Sequence, residues 1–300
     1  MGGRAEDRLN ALADLLDVLR CPVCAATVDL LDMVGPAAGP RVLACAAWHR
    51  FDVAKQGHVV LVAGGSKLRA DTADMVRARL RVMASGAFDD VRAGVVEVCR
   101  GGSARDGGDL VVDLGAGPGT WTAAVLDAAP DRRGLALELS VPALRAAARA
   151  HHRLGAVGAD LTRPLPLVDG AVGDHGVVLA VFAPLATDDE LRRVSLPGSR
   201  LVVVTPTPAH LAGLRRRLGL LDVPADKPER LQGRLAGTWQ PTGRYEVSTA
   251  VRLDRALAAD VVAMGPNAWH TDDRLRAALA LLPESLDDTV AVTLSTFRRR

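Results

Sequence analysis

The sequence predicts an α/β fold built on a largely parallel sheet and preceded by a small metal-binding module. Three observations predict it. Short apolar runs alternate with helix-forming segments from residue 110 onward, as in strands joined by crossover helices. A turn with glycines at 115, 117 and 119 follows the first of these runs. Cysteines and a histidine with metal-ligand spacing lie between residues 21 and 49.

Length and composition limit the possible functions. The chain has 300 residues, of which 49% are hydrophobic, enough to bury a sizeable core in one large domain or two smaller ones. The formal net charge of +2 gives no bulk attraction to nucleic acid, and 3% aromatic content makes an extended base-stacking surface unexpected. No apolar run reaches 18 residues and no signal-peptide pattern opens the sequence, so we expect a cytoplasmic protein without membrane contact.

Residues 1–62 are expected to form a zinc-binding module. Three thiolates and one imidazole are a common structural zinc set, and the candidate ligands are Cys21, Cys24, Cys45 and His49. About 40 residues are too few to be held together by packing alone, so metal binding would stabilise the module. A redox dithiol at the first two cysteines remains an alternative, and His58 is a competing fourth ligand. Cys99 lies in an apolar pattern and is expected to be an inert core thiol.

Residues 63–108 are expected to form a helical linker. Asp71 and Thr72 open a predicted helix over 71–84, and a second helix is predicted over 88–99. The first helix carries several arginines in or near it: Arg69, Arg77, Arg79 and Arg81. Such a run indicates either a solvated helix face or one edge of a substrate cleft, and the sequence leaves both open.

The stretch from Leu110 to Thr120 is the centre of the predicted C-terminal domain, 109–300. Its glycines, Gly115, Gly117 and Gly119, would let a ligand approach the backbone closely. Asp113, just before the turn, is a candidate cofactor-binding residue, because its carboxylate disfavours a pyrophosphate and tolerates a cation. S-adenosylmethionine carries an ammonium and a sulfonium and no phosphate, so it is the expected cofactor. A dinucleotide, or a turn without a ligand, remains open because this glycine motif is shared by many sites.

Seven strands are expected in this domain, as in a class I (Rossmann-like) methyltransferase sheet. They are placed at 110–114, 134–138, 156–159, 176–181, 200–205, 244–253 and 289–297. Ligands in such sheets bind beyond the C-terminal ends of the strands, near the point where the strand order reverses. Side chains that follow these strands are therefore the candidate binding residues.

Three strand ends carry candidate binding groups. Glu138 ends the second strand and is expected to accept hydrogen bonds from the ribose hydroxyls. Asp160 ends the third and would accept the adenine amino group, with the backbone N–H of Leu161 beside it. The segment Phe182-Ala183-Pro184 follows the fourth and is expected to position a flat acceptor base. The structural alternatives are a solvated acid, a turn-forming aspartate and a packed loop phenylalanine, respectively. No general base can be assigned.

The chain resembles bacterial 23S rRNA (guanine-N1)-methyltransferases, a family that includes members conferring macrolide resistance in antibiotic producers. The resemblance covers nearly the whole chain. It rests on Cys21-x2-Cys24 with Cys45-x3-His49, Phe51-Asp52-Val53-Ala54-Lys55-Gln56-Gly57, Asp71-Thr72-Ala73-Asp74-Met75-Val76-x-Ala78-Arg79, Ala84-Ser85-Gly86, the glycine turn, Phe182-Ala183-Pro184 and Met264-Gly265-Pro266-Asn267-Ala268-Trp269. The chain departs from the family pattern at Ala70 and Phe88, where glycine and tyrosine are expected, and at Leu185-Ala186, where a polar pair is expected.

The resemblance implies methyl transfer from S-adenosylmethionine to N1 of a guanine in a 23S rRNA hairpin. It also implies that the zinc module helps to grip the RNA and that the enzyme is a homodimer with a cleft between subunits. Two other functions are compatible with parts of the sequence. One is a small-molecule (secondary-metabolite) methyltransferase with a zinc-stapled substrate lid. The other is a non-enzymatic RNA-binding protein with a relict cofactor fold, which the complete acid and glycine set argues against.

Overall fold

The computed structural model describes residues 11–32, 41–64, 66, 68–100, 110–265 and 273–300. The strands are β1 (Val28–Asp32), β2 (Arg41–Cys45), β3 (Arg50–Val53), β4 (His58–Val60), β5 (Leu110–Leu114), β6 (Arg133–Glu138), β7 (Leu154–Gly158), β8 (Val177–Val181), β9 (Arg200–Pro206), β10 (Trp239–Asp254) and β11 (Ser285–Arg299). The helices are α1 (Ala73–Ala84), α2 (Asp89–Arg100), α3 (Thr120–Ala128), α4 (Val141–Ala147), α5 (Asp188–Val194), α6 (Ala212–Leu218), α7 (Lys227–Leu235), α8 (Arg255–Ala263) and α9 (Asp273–Ala280). Most of the motif at 264–269 and the end of the expected linker lie outside the described residues.

All seven strands expected in the C-terminal part are present, in the order β7-β6-β5-β8-β9-β11-β10. The first five are parallel, and β11 runs antiparallel to both β9 and β10. The expected strand total was wrong, however, because the described sheet has eleven strands. Four N-terminal strands, β1 to β4, continue its edge, and β4 pairs in parallel with β7.

The order of the strands fixes where a ligand can enter. From β5 the chain moves to β6 and β7 on one side, then returns to β8 on the other side of β5. The loops after β5 and β8 therefore leave in opposite directions and open a crevice between them, at the C-terminal edge of the sheet. The glycine turn follows β5 and Phe182 follows β8, so the topology brings these two predicted segments to one place.

Side chains of β5 alternate between the two faces of the sheet. Leu110, Val112 and Leu114 belong to one buried cluster, which also contains Leu12 and Leu15 of the N-terminal segment. A second cluster on the other face combines Val111 with apolar residues of α2 and α3. Both faces are covered, which explains why these parallel strands are continuously apolar.

Helix α1 lies over the C-terminal edge of the sheet. Thr72 caps its start by accepting from the Met75 N–H at 3.3 Å, as the sequence predicts. The Ser140 hydroxyl, before α4, donates to the Asp71 carbonyl at 2.6 Å. Helix α1 also packs against α8, a helix that the sequence pattern does not predict. In the described part of the chain, none of the helices is long and apolar enough to cross a membrane.

Candidate functional site

The glycine turn after β5 is bound to the end of β6. Gly115, Gly117 and Gly119 all have positive φ, at 67°, 55° and 76°, a backbone region that L-residues with a side chain enter at a cost. The Gly117 N–H donates to Oε2 of Glu138 at 2.8 Å. Oε1 of Glu138 accepts from the N–H groups of Leu139 and Ser140 at 2.7 and 2.8 Å. Glu138 is therefore a fixed strand-end carboxylate, not a freely solvated one.

The predicted base-positioning segment touches the glycine turn. A Cβ atom on Gly115 would lie 2.8 Å from the Cβ of Ala183 and 4.0 Å from a terminal carbon of Leu161. The structure thus brings together residues that follow β5, β7 and β8. Phe182 is 41% exposed and Pro184 is exposed beside it.

Arg79 of α1 lies against the same turn from the other side. A Cβ atom on Gly117 would be 2.9 Å from its Nη1. The guanidinium pairs with Asp71 at 2.7 Å and donates to the Met264 carbonyl at 2.7 Å. Arg81, two residues on, pairs with Asp260 of α8 instead. The arginines of this helix therefore have different surroundings, since Arg79 borders the glycine turn while Arg81 joins α1 to α8.

Asp113 lies beneath the turn and is 1% exposed. Its Oδ2 accepts a hydrogen bond from the Thr122 hydroxyl of α3 at 2.5 Å. Burial raises the pKa of Asp113 to about 7, although the hydrogen bond from Thr122 opposes this shift, and the charge of Glu138 adds to it. This acid supports the first turn of α3 from within the core.

Asp160 is held by the loop that follows β4. Its Oδ2 accepts from the Ser66 hydroxyl at 2.7 Å, and its Oδ1 accepts from the N–H and hydroxyl of Thr162 at 3.0 and 2.6 Å. Burial alone would raise the pKa of Asp160, but these hydrogen bonds and the nearby Arg163 lower it below the ordinary value. Asp160 is thus an ionised acid in a turn, facing the N-terminal part of the chain.

Four rings form a cluster beyond the ends of β8 and β9, which we call the aromatic box: Phe88, Trp121, Phe182 and His210. Phe88 and Trp121 are 2% and 7% exposed and form its floor, whereas Phe182 lies open above them. The Phe182 and His210 ring centroids are 5.7 Å apart. Phe182 has φ 54° and Leu211 has φ 49°, strained conformations that cost about 1–2 kcal/mol each.

Backbone hydrogen bonds to β11 hold the loop that carries His210. The Leu211 N–H donates to the Thr289 carbonyl at 2.7 Å and the Thr207 N–H donates to the Ala291 carbonyl at 3.0 Å. In return, the Ala291 N–H donates to Nδ1 of His210 at 3.2 Å. The imidazole is therefore fixed on the sheet rather than free on a mobile loop.

The four predicted metal ligands lie together in the N-terminal module. They are Cys21, Cys24, Cys45 and His49, and their ligand atoms all lie within 4.8 Å of one another. A tetrahedral zinc ion requires about 3.8 Å between two sulfurs and about 3.5 Å between sulfur and nitrogen. The observed separations are 3.6 Å for Cys24–Cys45 Sγ, and 3.6 and 3.4 Å from His49 Nδ1 to the sulfurs of Cys21 and Cys45. These residues fit zinc.

The structure separates His58 from the metal cluster and places Cys99 in the core, as the sequence predicts for this thiol. His58 is 4% exposed in β4 and is not part of the ligand group. Cys99 is fully buried in α2, where burial raises the pKa of its thiol to about 12, as expected for an unreactive core thiol.

Several residues at the site were not singled out from the sequence. Trp121 and His210 enter only because α3 and the loop after β9 converge on Phe182, and Phe88, noted in the sequence only as a departure from the family pattern, joins them from the start of α2. Ser66 enters because the loop after β4 reaches Asp160. None of them carries a local motif; for His210, its position shortly after a parallel strand is a weak signal.

A parallel sheet with a glycine turn at the switch point and an antiparallel β11 inserted between β9 and β10 is the architecture of a class I methyltransferase. Comparison with known proteins identifies the branch. The chain is 44% identical over 298 residues to a protein of Micromonospora griseorubida named as a candidate 23S rRNA (guanine-N(1)-)-methyltransferase, covering 95% of this chain and 98% of that one. It is 42% identical over 281 residues to the 23S rRNA (guanine(748)-N(1))-methyltransferase of Streptomyces fradiae, covering 93% and 96%. The chain belongs to the 23S rRNA (guanine-N1)-methyltransferase family.

Other comparisons are more distant. A SAM-dependent methyltransferase of Aquifex aeolicus aligns with a TM-score of 0.44 at 16% identity, over 58% of this chain and 93% of that one. One from Anabaena variabilis gives 0.45 at 14% identity, over 78% and 99%. No family model matches the chain.

Proposed function

We propose that this enzyme transfers the methyl group of S-adenosylmethionine to N1 of a guanine in a 23S rRNA hairpin. The observation that carries the proposal is the packing of Ala183 on Gly115, which joins an exposed aromatic surface to the glycine turn. A cofactor on the turn and a flat base on Phe182 would then be neighbours. The family relatives supply the substrate class.

The turn and two strand-end acids would hold the cofactor. The backbone of Gly115, Gly117 and Gly119 leaves room for the methionine part. A carboxylate has about four acceptor positions, and three of those on Glu138 are occupied by backbone N–H groups. The fourth, on Oε2, is available to a ribose hydroxyl. Asp160 would accept the adenine amino group, with the Leu161 N–H beside it; its Oδ2 already accepts from Ser66 and lies 3.6 Å from Nε of Arg163.

Phe182, Ala183 and Pro184 would position the acceptor base. Guanine N1 lies inside the base pair in a helix, so the base must be turned out of its stack to react. Hairpin loops offer such bases, and proteins stack them on aromatic side chains. S-adenosylmethionine, when bound, supplies an electrophilic methyl group. The protein supplies orientation of N1 toward that methyl, and the N1 proton is released during the reaction.

The cluster of Cys21, Cys24, Cys45 and His49 would hold a structural zinc ion and shape residues 1–62 as an RNA-recognition module. Trp48, between two of these ligands, is 68% exposed, and the guanidinium of Arg50 lies 5.3 Å from its ring centroid. A flat ring paired with a cation suits an unpaired base and its phosphate. Residues 63–108 would be the helical linker, 109–300 the methyltransferase domain, and the enzyme a homodimer.

Methyl transfer to RNA tests the proposal directly. The chain, incubated with tritium-labelled S-adenosylmethionine and 23S rRNA or a synthetic hairpin from it, is expected to label the RNA, with N1-methylguanine as the product nucleoside. A hairpin with inosine at the labelled position is also a substrate on this account, because it keeps N1 and O6, whereas adenosine is not. Cofactor binding without any transfer to RNA would refute the proposal. Expression in a macrolide-sensitive host, followed by growth on macrolides, then tests the resistance role.

A further inference from the structure

His210 has no part in cofactor binding as proposed, yet it forms one wall of the aromatic box. Its ring centroid lies 5.7 Å from that of Phe182 and 5.9 Å from that of Phe88. It lies after β9, the neighbour of the strand β8 that Phe182 follows, at the C-terminal edge of the sheet. A base lying on Phe182 would therefore lie beside this imidazole.

The structure fixes which ring nitrogen carries the proton. Nδ1 accepts from the Ala291 N–H at 3.2 Å, so the proton of the neutral ring is on Nε2. Burial, and next the charge of Arg215, lower the pKa of His210 to about 4, against smaller opposite effects of the Ala291 hydrogen bond and Asp288. The ring is therefore neutral at pH 7 and presents an N–H donor. Nε2 has no hydrogen-bond partner among the described residues. It is also not buried away from solvent, so another molecule can reach it.

Guanine offers a matching acceptor. O6 is bonded to the carbon next to N1, and removal of the N1 proton places negative charge largely on O6. A donor aimed at O6 thus stabilises the form of the base that attacks the methyl group, in the way that an oxyanion-hole donor stabilises developing charge. A neutral imidazole with a pKa near 4 is a poor proton acceptor at pH 7, which assigns it the donor role and not that of a base.

We propose that His210 contacts the acceptor directly and donates Nε2–H to O6 of the guanine while Phe182 stacks on its face. In the step, the sulfonium S–CH3 bond breaks and the N1–CH3 bond forms. The N1 proton passes to water, and S-adenosylhomocysteine leaves uncharged at sulfur. Recognition of O6 also excludes adenine, whose amino group at that position is a donor. This inference rests on the proposed function.

Variants of His210 test the donor. In His210→Asn a side-chain oxygen can still accept from Ala291, but nothing reaches the position of Nε2; His210→Gln places an amide N–H near that position. We expect kcat to fall on the order of 10²-fold in His210→Asn and His210→Ala, with little change in KM for RNA, and His210→Gln to recover at least a tenth of wild-type kcat. His175→Ala, at an exposed histidine before β8, is the control and keeps wild-type activity.

A modified substrate decides whether O6 is the partner. A hairpin with 6-thioguanosine at the target offers sulfur, a weaker acceptor, in place of O6. We expect the change from oxygen to sulfur in the RNA to lower kcat of the wild-type enzyme by a factor at least ten times larger than the factor by which it lowers kcat of His210→Ala. Equal effects in both enzymes, or a His210→Asn variant as active as wild type, would overturn the inference. If the variants fail to fold, a wild-type kcat that the sulfur leaves unchanged overturns it as well. Absence of transfer by the wild-type enzyme would instead reject the proposed function.

Discussion

The buried Asp113 makes the pH dependence of stability a test of the fold around the glycine turn. Replacing Asp113 by asparagine keeps the shape of the side chain and an oxygen that accepts from Thr122. It removes the ability to ionise and puts an NH2 group in place of one carboxyl oxygen, a change whose cost does not vary with pH. The wild-type carboxyl is 1% exposed, and burial raises its pKa to about 7 from an ordinary 3.8.

The magnitude follows from the difference between the two pKa values. The unfolded chain releases the Asp113 proton near pH 4, whereas the folded chain keeps it until about pH 7. Folding therefore takes up a proton in this window, and the wild-type free energy of unfolding falls as pH rises through it. At about 1.4 kcal/mol for each pKa unit, the loss amounts to about 4 kcal/mol. Asp113→Asn does not titrate, so the variant gains up to this amount relative to wild type between pH 4 and pH 8.

Urea unfolding of both proteins, followed by tryptophan fluorescence at several pH values from 4 to 8, measures the difference. Comparing the two at each pH removes the titration of every other group, as well as any constant cost of the buried amide. Asp131→Asn, at an exposed position, is the control. The opposite result is a difference in free energy of unfolding between wild type and Asp113→Asn that stays constant to within about 0.5 kcal/mol over this range. That result would show that Asp113 has the same pKa in the folded and the unfolded chain, and the reasoning would fail.

Two further predictions concern the turn and the metal cluster. Gly115→Ala combines a positive φ with a Cβ only 2.8 Å from the Cβ of Ala183. Calorimetry should therefore show at least tenfold weaker binding of S-adenosylmethionine to this variant. The control is Gly64→Ala, which has the same backbone strain at φ 65° but open space around its Cβ, and it should bind the cofactor normally. Cys21→Ser should lose zinc and destabilise the strands around the cluster, whereas Cys99→Ala, outside the cluster, should keep one zinc ion per chain by metal analysis. Full zinc content in Cys21→Ser would contradict the assigned ligand set.

Local spacing determined much of this protein. The glycine turn between β5 and α3, the threonine cap of α1 and the two metal-ligand pairs are each set by residues a few positions apart, so the sequence predicts them without knowledge of the fold. The five parallel strands could also be predicted, because a strand buried on both faces is continuously apolar. The last two, β10 and β11, are indicated by alternation of apolar and polar residues. The C-terminal ends of the parallel strands then indicate where Glu138, Asp160 and Phe182 lie.

Tertiary structure alone decided what surrounds these groups. Arg79 borders Gly117, Ser66 binds Asp160 and His210 lies beside Phe182 because segments distant in sequence meet at one edge of the sheet. Likewise, β4 extends the sheet by pairing with β7, a partner about 100 residues away. Such contacts depend on the order of strands and on helix packing, which leave no periodic or spacing signal in the residues themselves. Thus the sequence by itself determined the glycine turn and the cysteine–histidine cluster, and only the fold decided which side chains surround the exposed ring of Phe182.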